Sequence, residues 1–308
     1  MEDVEVLWYR SGKGRSEQAF DDTYGMRVFE NLDQAVADKP DFGIIANPTS
    51  LHVKTALCLA KAGIPFLIEK PVSDRLEGLD ELRKTVSAKN LPVMIGFQLR
   101  QHPGYKQLLH LIRSGQIGDP MSLQGHVGQY LPAWRPDEDY RQSYSASKDM
   151  GGGVILDLCH EIDVAISILG QVVQVCCLCD HYSELEIDSE DMADIIMEHQ
   201  GRRLSHLHLN YLERDYYWVT RVMGTLGTVV WDYGRGYVEL TRFDGTTERW
   251  SDPDGFDRDC LFRDQLRQWL GVLDGAAQPE ANLENGIDVT RVALAAKCSS
   301  QERRHVEL

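Results

Sequence analysis

The chain has 308 residues, 43% hydrophobic and 26% charged, the composition of an ordinary globular protein, and its length suits one large domain or two that share a boundary. A formal charge of −16 argues against nucleic acid as a partner, because phosphate recognition needs concentrated Lys and Arg. No run of about 18 apolar residues is present, which excludes a membrane-spanning helix, and the acidic opening MEDVEVLWYRSG lacks the basic and apolar pattern of a signal peptide, so the expected location is the cytoplasm.

The first third alternates short apolar strands with helical segments. Strands are expected at 4–9, 42–46, 65–69 and 92–97, and helices at 51–62 and 76–88. Near-continuous apolar strands alternating with helices indicate a parallel sheet covered on both faces. A dinucleotide fold of this kind opens with a strand, a glycine-rich turn and a helix whose N-terminus holds the pyrophosphate. No Gly-x-Gly-x-x-Gly follows an early strand here. The segment Arg10-Ser11-Gly12-Lys13 fits better as the loop after a second strand, where an adenosine ribose is read. There an acid selects NAD, whereas Arg10, Ser11 and Lys13 suit a 2′-phosphate, so NADP is favoured over NAD.

Two further segments lie at carboxyl ends of these strands, where open α/β sheets bind ligands. The first is Ala46-Asn47-Pro48-Thr49-Ser50-Leu51-His52, which also starts a helix whose free N–H groups favour anions. Pro-Thr-Ser equally serves to start any helix. The second is Glu69-Lys70-Pro71, and partial desolvation of Lys70 is expected to lower its pKa towards the range for proton transfer.

After about residue 99 the pattern changes. Helices are expected at 105–113 and 152–169, then long alternating strands at 172–182, 191–199, 202–212, 216–224 and 227–233, a mostly antiparallel sheet with one face buried. The loop before the second helix carries Trp134, Tyr140, Arg141 and Tyr144, aromatic and hydrogen-bonding groups that suit a sugar ring as well as plain loop packing. In the helix after Gly151-Gly152-Gly153, Asp157, His160 and Glu161 share one polar face at about 100° per residue. A His with a carboxylate one turn away is a common acid–base arrangement. The seven cysteines have no metal-ligand spacing and read as reduced thiols, so no metal is expected.

Taken in order, Glu69-Lys70-Pro71 and the triple-glycine helix with Asp157 and His160 resemble the Gfo/Idh/MocA family of sugar and cyclitol oxidoreductases. The resemblance runs from residue 4 to the C-terminus. It implies a Rossmann-like NAD(P)-binding domain over 1–98 and an α+β substrate and oligomerisation domain over 99–308. A last helix at about 285–298 would pack back on the first domain. Lys70 would be the catalytic lysine, with a cis Lys70–Pro71 peptide, His160 the proton acceptor, and Asp157 a substrate-binding or orienting residue. Asn47, Pro48, Thr49, His52, Glu69 and Arg100 would line the cofactor. The expected reaction is oxidation or reduction at a secondary hydroxyl of a sugar, sugar acid or nucleotide-sugar, in a homodimer or homotetramer formed through the large sheet. The sequence departs from the family pattern twice. The step from Asp157 to His160 is three residues rather than four, which makes Glu161 a rival partner for His160. The first β–α unit is also missing, which would leave two strand edges open. A non-catalytic sugar-binding or scaffold homologue is the alternative expectation.

Overall fold

The computed structural model describes residues 4–9 and 25–308. The N-terminal part contains five short parallel strands in two groups: β1 (Leu7–Tyr9) with β2 (Arg27–Phe29), and β3 (Gly43–Ile45), β4 (Phe66–Glu69) and β5 (Val93–Gly96) in that order. Among the described residues β1 and β3 form no ladder with each other. Helices α1 (Leu32–Ala37), α2 (His52–Ala62) and α3 (Leu79–Lys89) connect the strands. The strand residues alternate between two cores. Phe66 and Ile68 join the main core, while Leu67 and Met94 pack with Trp269 and Val272. Coverage of both faces explains why these strands are apolar throughout.

Helix α4 (Pro103–Arg113) leads into β6 (Pro120–Gly128) and the loop that ends at the triple glycine. Where a single helix over 152–169 was expected, there are two, α5 (Val154–Asp157) and α6 (His160–Leu169). The break has a local cause. The Asp157 carbonyl accepts from Lys70 Nζ at 2.5 Å, and the Glu161 N–H that would otherwise take it turns to Leu158 O at 3.3 Å.

The rest is a nine-stranded sheet, with β7 (Val172–Asp180), β8 (Met192–His199), β9 (Arg203–Asn210), β10 (Tyr217–Gly224), β11 (Gly227–Asp232), β12 (Tyr237–Arg242), β13 (Thr247–Ser251) and β14 (Val306–Glu307). Its order is β13-β12-β11-β10-β6-β9-β8-β7-β14, antiparallel except for β6 beside β9. The inner face carries Leu123, Val127, Ile195, Leu207 and Leu209, all buried under α6 and α8 (Leu283–Glu302). Helix α8 starts at a capping box between Asn282 and Asn285 and passes close over β5. A Cβ at Gly286 would lie 2.5 Å from Val72 and 2.9 Å from Ile95, so only glycine allows that approach. Helix α7 (Asp259–Leu273), which the sequence reading missed, supplies Trp269 to the second face of the parallel sheet.

Candidate active site

The carboxyl ends of β3, β4 and β5 carry Asn47, Glu69–Lys70 and Gln98 to one side of the sheet, where the α5–α6 corner meets them. The corner is fixed by its glycines. A Cβ at Gly152 would lie 2.2 Å from Tyr144 O, and one at Gly153 (φ +108°) would fall on the Glu190 carboxylate, which Lys297 holds with two 3.0 Å contacts. Gly151 (φ +83°) abuts Thr49 at the start of α2, so the two halves of the chain touch at this point.

Asp157 is the hub. Its Oδ1 accepts from Lys70 Nζ at 3.3 Å and from the Tyr144 hydroxyl, and its Oδ2 from Ser145 Oγ at 2.6 Å and the Tyr211 hydroxyl at 3.1 Å. Ser145 and Tyr211 had no signal in the sequence. Each is an ordinary residue whose role depends on a partner far along the chain. Trp134 stands edge-on to Tyr211 at 5.3 Å, linking the aromatic loop to this cluster. Tyr140 and Arg141 do not join it: Tyr140 Oη accepts from the Glu186 N–H, and Arg141 pairs with Asp139 and Glu186.

The expectation that Lys70 has a lowered pKa is corrected. Burial does oppose its charge, but Tyr144, Asp157, Cys159 and Glu69 around it outweigh that penalty and shift the ammonium upward. Lys70 is therefore a protonated donor rather than a base. Its peptide to Pro71 is cis, as the resemblance implied. Burial raises the neighbouring Glu69 carboxyl, against the pull of Lys70.

His160 is buried, edge-on to Phe97 at 5.8 Å, and neither ring nitrogen has a hydrogen-bond partner among the described residues. Burial, with Lys70, Arg258 and Arg100 adding to it, holds its pKa well below the ordinary histidine value, so it is neutral. Neither rival carboxylate bonds to it. Asp157 is committed as above, and Glu161 accepts from Trp218 Nε1 and from Thr220 Oγ1 at 3.2 Å. The break at 158–159 separates the three side chains that one continuous helix would have aligned.

Of the expected cofactor residues, Arg10, Ser11 and Lys13 lie outside the described residues. Asn47 donates to Thr55 Oγ1 at 2.9 Å, and its buried Oδ1, like Gln98 Oε1, has no partner among the described residues. Pro48 and Thr49 form the turn into α2, with Thr49 buried. The His52 ring lies between the carbonyls of Asn47 and Pro71 at 2.8 Å each, so it braces the two strand ends against each other. Arg100 is held by Asp163 (2.9 and 2.5 Å) and by the Glu280 carbonyl.

With fold and site in view, the class is that of chains in which a parallel Rossmann-like sheet precedes a large, mostly antiparallel one. Residues 5–97 match the model of the oxidoreductase family with an NAD-binding Rossmann fold, and residues 105–230 that of the Gfo/Idh/MocA C-terminal domain. The chain belongs to the Gfo/Idh/MocA family. It is 30% identical to inositol 2-dehydrogenase of Corynebacterium glutamicum over 161 residues, 52% of this chain and 44% of that enzyme. It is 24% identical to 1,5-anhydro-D-fructose reductase of Ensifer adhaerens over 284 residues, 86% of this chain and 79% of that one. For most of the curated relatives it matches, the chain spans about half of their length or less. Among solved structures, levoglucosan dehydrogenase in complex with NADH and levoglucosan superposes with a TM-score of 0.86 at 19% identity, over 99% of this chain and 90% of that one. The WlbA dehydrogenase of Bordetella pertussis, in complex with NADH and UDP-GlcNAcA, gives 0.80 at 18%, over 98% and 90%. These structures share the fold: a parallel Rossmann-like sheet followed by a large, mostly antiparallel one.

Proposed function

We propose that this chain is an NAD(P)-dependent oxidoreductase that acts on a secondary hydroxyl of a sugar, sugar acid or nucleotide-sugar. The observation that carries the reading is the neutral, buried, unpartnered imidazole of His160 beside the Lys70–Asp157 pair. Orphaned buried polar atoms in native proteins call for a ligand, an ion or water, and three side chains with such atoms, Asn47, Gln98 and His160, lie at one end of the parallel sheet. They fit the nicotinamide end of a dinucleotide and the substrate beside it. Asn47 and Gln98 would hold the former, with Pro48, Thr49 and Glu69 nearby.

When bound, the nicotinamide supplies the site that accepts or returns a hydride. The chain's own residues handle the proton. His160 Nδ1 or Nε2 takes it from the substrate hydroxyl, a role open to it because its imidazole is neutral. Lys70 donates a hydrogen bond to the same oxygen and stabilises the negative charge that develops there. Asp157, with Tyr144, Ser145 and Tyr211 behind it, fixes the position of Lys70. Trp134 borders the sugar site, and Tyr140 and Arg141 form its outer rim. NADP is preferred through Arg10, Ser11 and Lys13. The outer face of the nine-stranded sheet, where Leu178, Ile196 and Leu204 are exposed, pairs copies of the chain into a dimer or tetramer. The seven free thiols suit the reducing cytoplasm, and among the described residues no helix is long and apolar enough to cross a membrane.

The test is fluorescence titration with NADPH and NADH, followed by turnover on a panel of cyclitols, sugars and nucleotide-sugars. NADPH is expected to bind about one to two decades more tightly than NADH, the worth of a charge-assisted phosphate contact. Lys70→Ala and His160→Ala should each lower kcat by about 10²-fold or more. Near-normal turnover in both variants overturns the site assignment. That β1 and β3 form no ladder among the described residues favours a second reading, a non-catalytic sugar-binding homologue, which requires that neither nucleotide change the fluorescence.

A further inference from the structure

His126 lies far from His206 and His208 in the sequence, and the sheet brings them together. Side chains of β6 alternate: Gly125 and Val127 face α6, with Gly125 against Glu161, so His126 points to the opposite, outer face. In the parallel register His126 lies directly beside His208 of β9, which in turn lies beside Asp194 of β8. The two imidazoles meet edge to face, with centroids 4.7 Å apart. Glu213, just after β9, completes the group, with its Oε1 2.6 Å from His126 Nε2. One ligand atom from each of His126, His208 and Glu213 lies within 4.8 Å of the others.

We propose that His126, His208 and Glu213 bind a divalent transition-metal ion of the zinc class on the outer face of the nine-stranded sheet, opposite α6 and on the face that the proposed function assigns to pairing of copies. Two imidazoles and one carboxylate suit zinc and its neighbours, whereas magnesium and calcium prefer all-oxygen sites. An ion bonded at about 2.0–2.2 Å to each ligand holds them roughly 3–3.5 Å apart, so the three need only small side-chain rotations.

The surroundings resemble those of a built site. Asp194 Oδ1 lies 3.0 Å from His208 Nδ1, so with Nδ1 as the donor the lone pair for a metal is on Nε2. A carboxylate on the far nitrogen of a ligating histidine fixes its tautomer and orientation. The same oxygen is 3.0 Å from His206 Nε2. Glu213 is placed by Asn210, whose Oδ1 accepts from the N–H groups of Leu212 and Glu213 at 2.9 and 3.0 Å. Gly128 leaves room for this carboxylate, since a Cβ there would lie 2.2 Å from Glu213 Oε2. A cleft of about 410 Å³ lined by His126, Glu213, Arg214, Asp215 and Tyr217 gives access from solvent. Arg214, the cation nearest in sequence, stacks on Tyr130 with its guanidinium 3.5 Å from the ring centroid.

The full chain, stripped with a chelator and kept reduced, is titrated calorimetrically with zinc chloride alone. One ion per chain is expected, at low micromolar affinity or tighter. The His126→Gln/His208→Gln double variant should weaken this by about 100-fold or more, and Asp194→Asn by about 10- to 100-fold through the orientation of His208. Zinc should raise the melting temperature of the parent and not of the double variant, while the two metal-free proteins melt alike, which separates lost ligation from lost folding. With cobalt in place of zinc, the spectrum should show no thiolate charge-transfer band. No uptake at about 100 μM zinc, uptake unchanged in the double variant, or a thiolate band removed by replacing Cys177 and Cys179 overturns the proposal.

Discussion

His160 and Glu161 are neighbours in the chain, and the fold sends their proton affinities in opposite directions. Burial pushes the Glu161 carboxyl up to about 7, against the pull of its bonds from Trp218 and Thr220, while burial and three cations push His160 down. Between the ordinary carboxylate value of 4.5 and about 7, folded Glu161 holds a proton that the unfolded chain has released. Stability from this residue is therefore fully present below 4.5 and is lost as pH rises through about 7. His160 has the opposite sign, with stability lost as pH falls below 6.5, because the unfolded chain takes up a proton that the buried ring refuses. Glu161→Gln removes only the first effect. The melting temperature of the variant minus that of the parent should rise between pH 4.5 and 7.5, by the equivalent of up to about 3 kcal/mol. A difference that does not change with pH would show that the carboxyl is ionised throughout. Lys70 and His160 were named in the sequence only through the resemblance carried by Glu69-Lys70-Pro71 and the triple-glycine helix together, since a strand-end lysine or a helix histidine alone is a weak signal. Asp157 was legible as a residue but not as the acceptor for Tyr144, Ser145 and Tyr211, partners brought to it by the loop and by β9.

At the scale of elements, the apolar stripe Leu158, Ile162, Ala165 and Leu169 continues through the α5–α6 corner, so periodicity alone reads one helix. What interrupts it is an ammonium group 87 residues away, competing for one carbonyl. Long-range competition of this kind leaves no periodic mark. The three glycines, by contrast, were visible, and their cause is now specific. Gly153→Ala should cost roughly 1–3 kcal/mol for its backbone conformation and more for displacing Glu190 from Lys297, with kcat falling as Asp157 shifts. Gly170 is the control, since its φ is +89° but no atom lies within 4 Å of an added Cβ. Urea unfolding should therefore show a clearly larger loss for Gly153→Ala than for Gly170→Ala. Equal losses would mean that the Glu190 contact yields freely.

For the whole molecule, the order of a parallel half and an antiparallel half was readable from the change in strand pattern near residue 99. The interleaving of the large sheet was not, because β6 pairs with β9 and β10 across long stretches of chain. The same non-local view exposes the weak part of the structure. Among the described residues, β3 pairs with β4 alone and its Ile44 is 54% exposed, while β1 and β2 form a separate two-stranded group in which Val28 is 46% exposed, next to Val6 at 48%. A two-stranded group is marginally stable without packing, and open parallel edges invite association with other chains. Strands β8 and β9, by contrast, are central in nine and bury Ala193, Ile195, Met197, Leu207 and Leu209. Local opening follows buried contact and paired backbone, so the two sheets should separate in hydrogen exchange. Amides of 4–9, 27–29 and 43–45 are expected to be protected about 10²-fold less than those of β8 and β9, and the chain is expected to aggregate with rising concentration. A peptide or segment that adds a parallel strand to the free edge of β3 should raise protection there while leaving β8 and β9 unchanged. Uniform protection across both sheets, in a chain that stays monodisperse at about 100 μM, would mean that the gap between β1 and β3 is closed in solution, and the stability argument would fail with it.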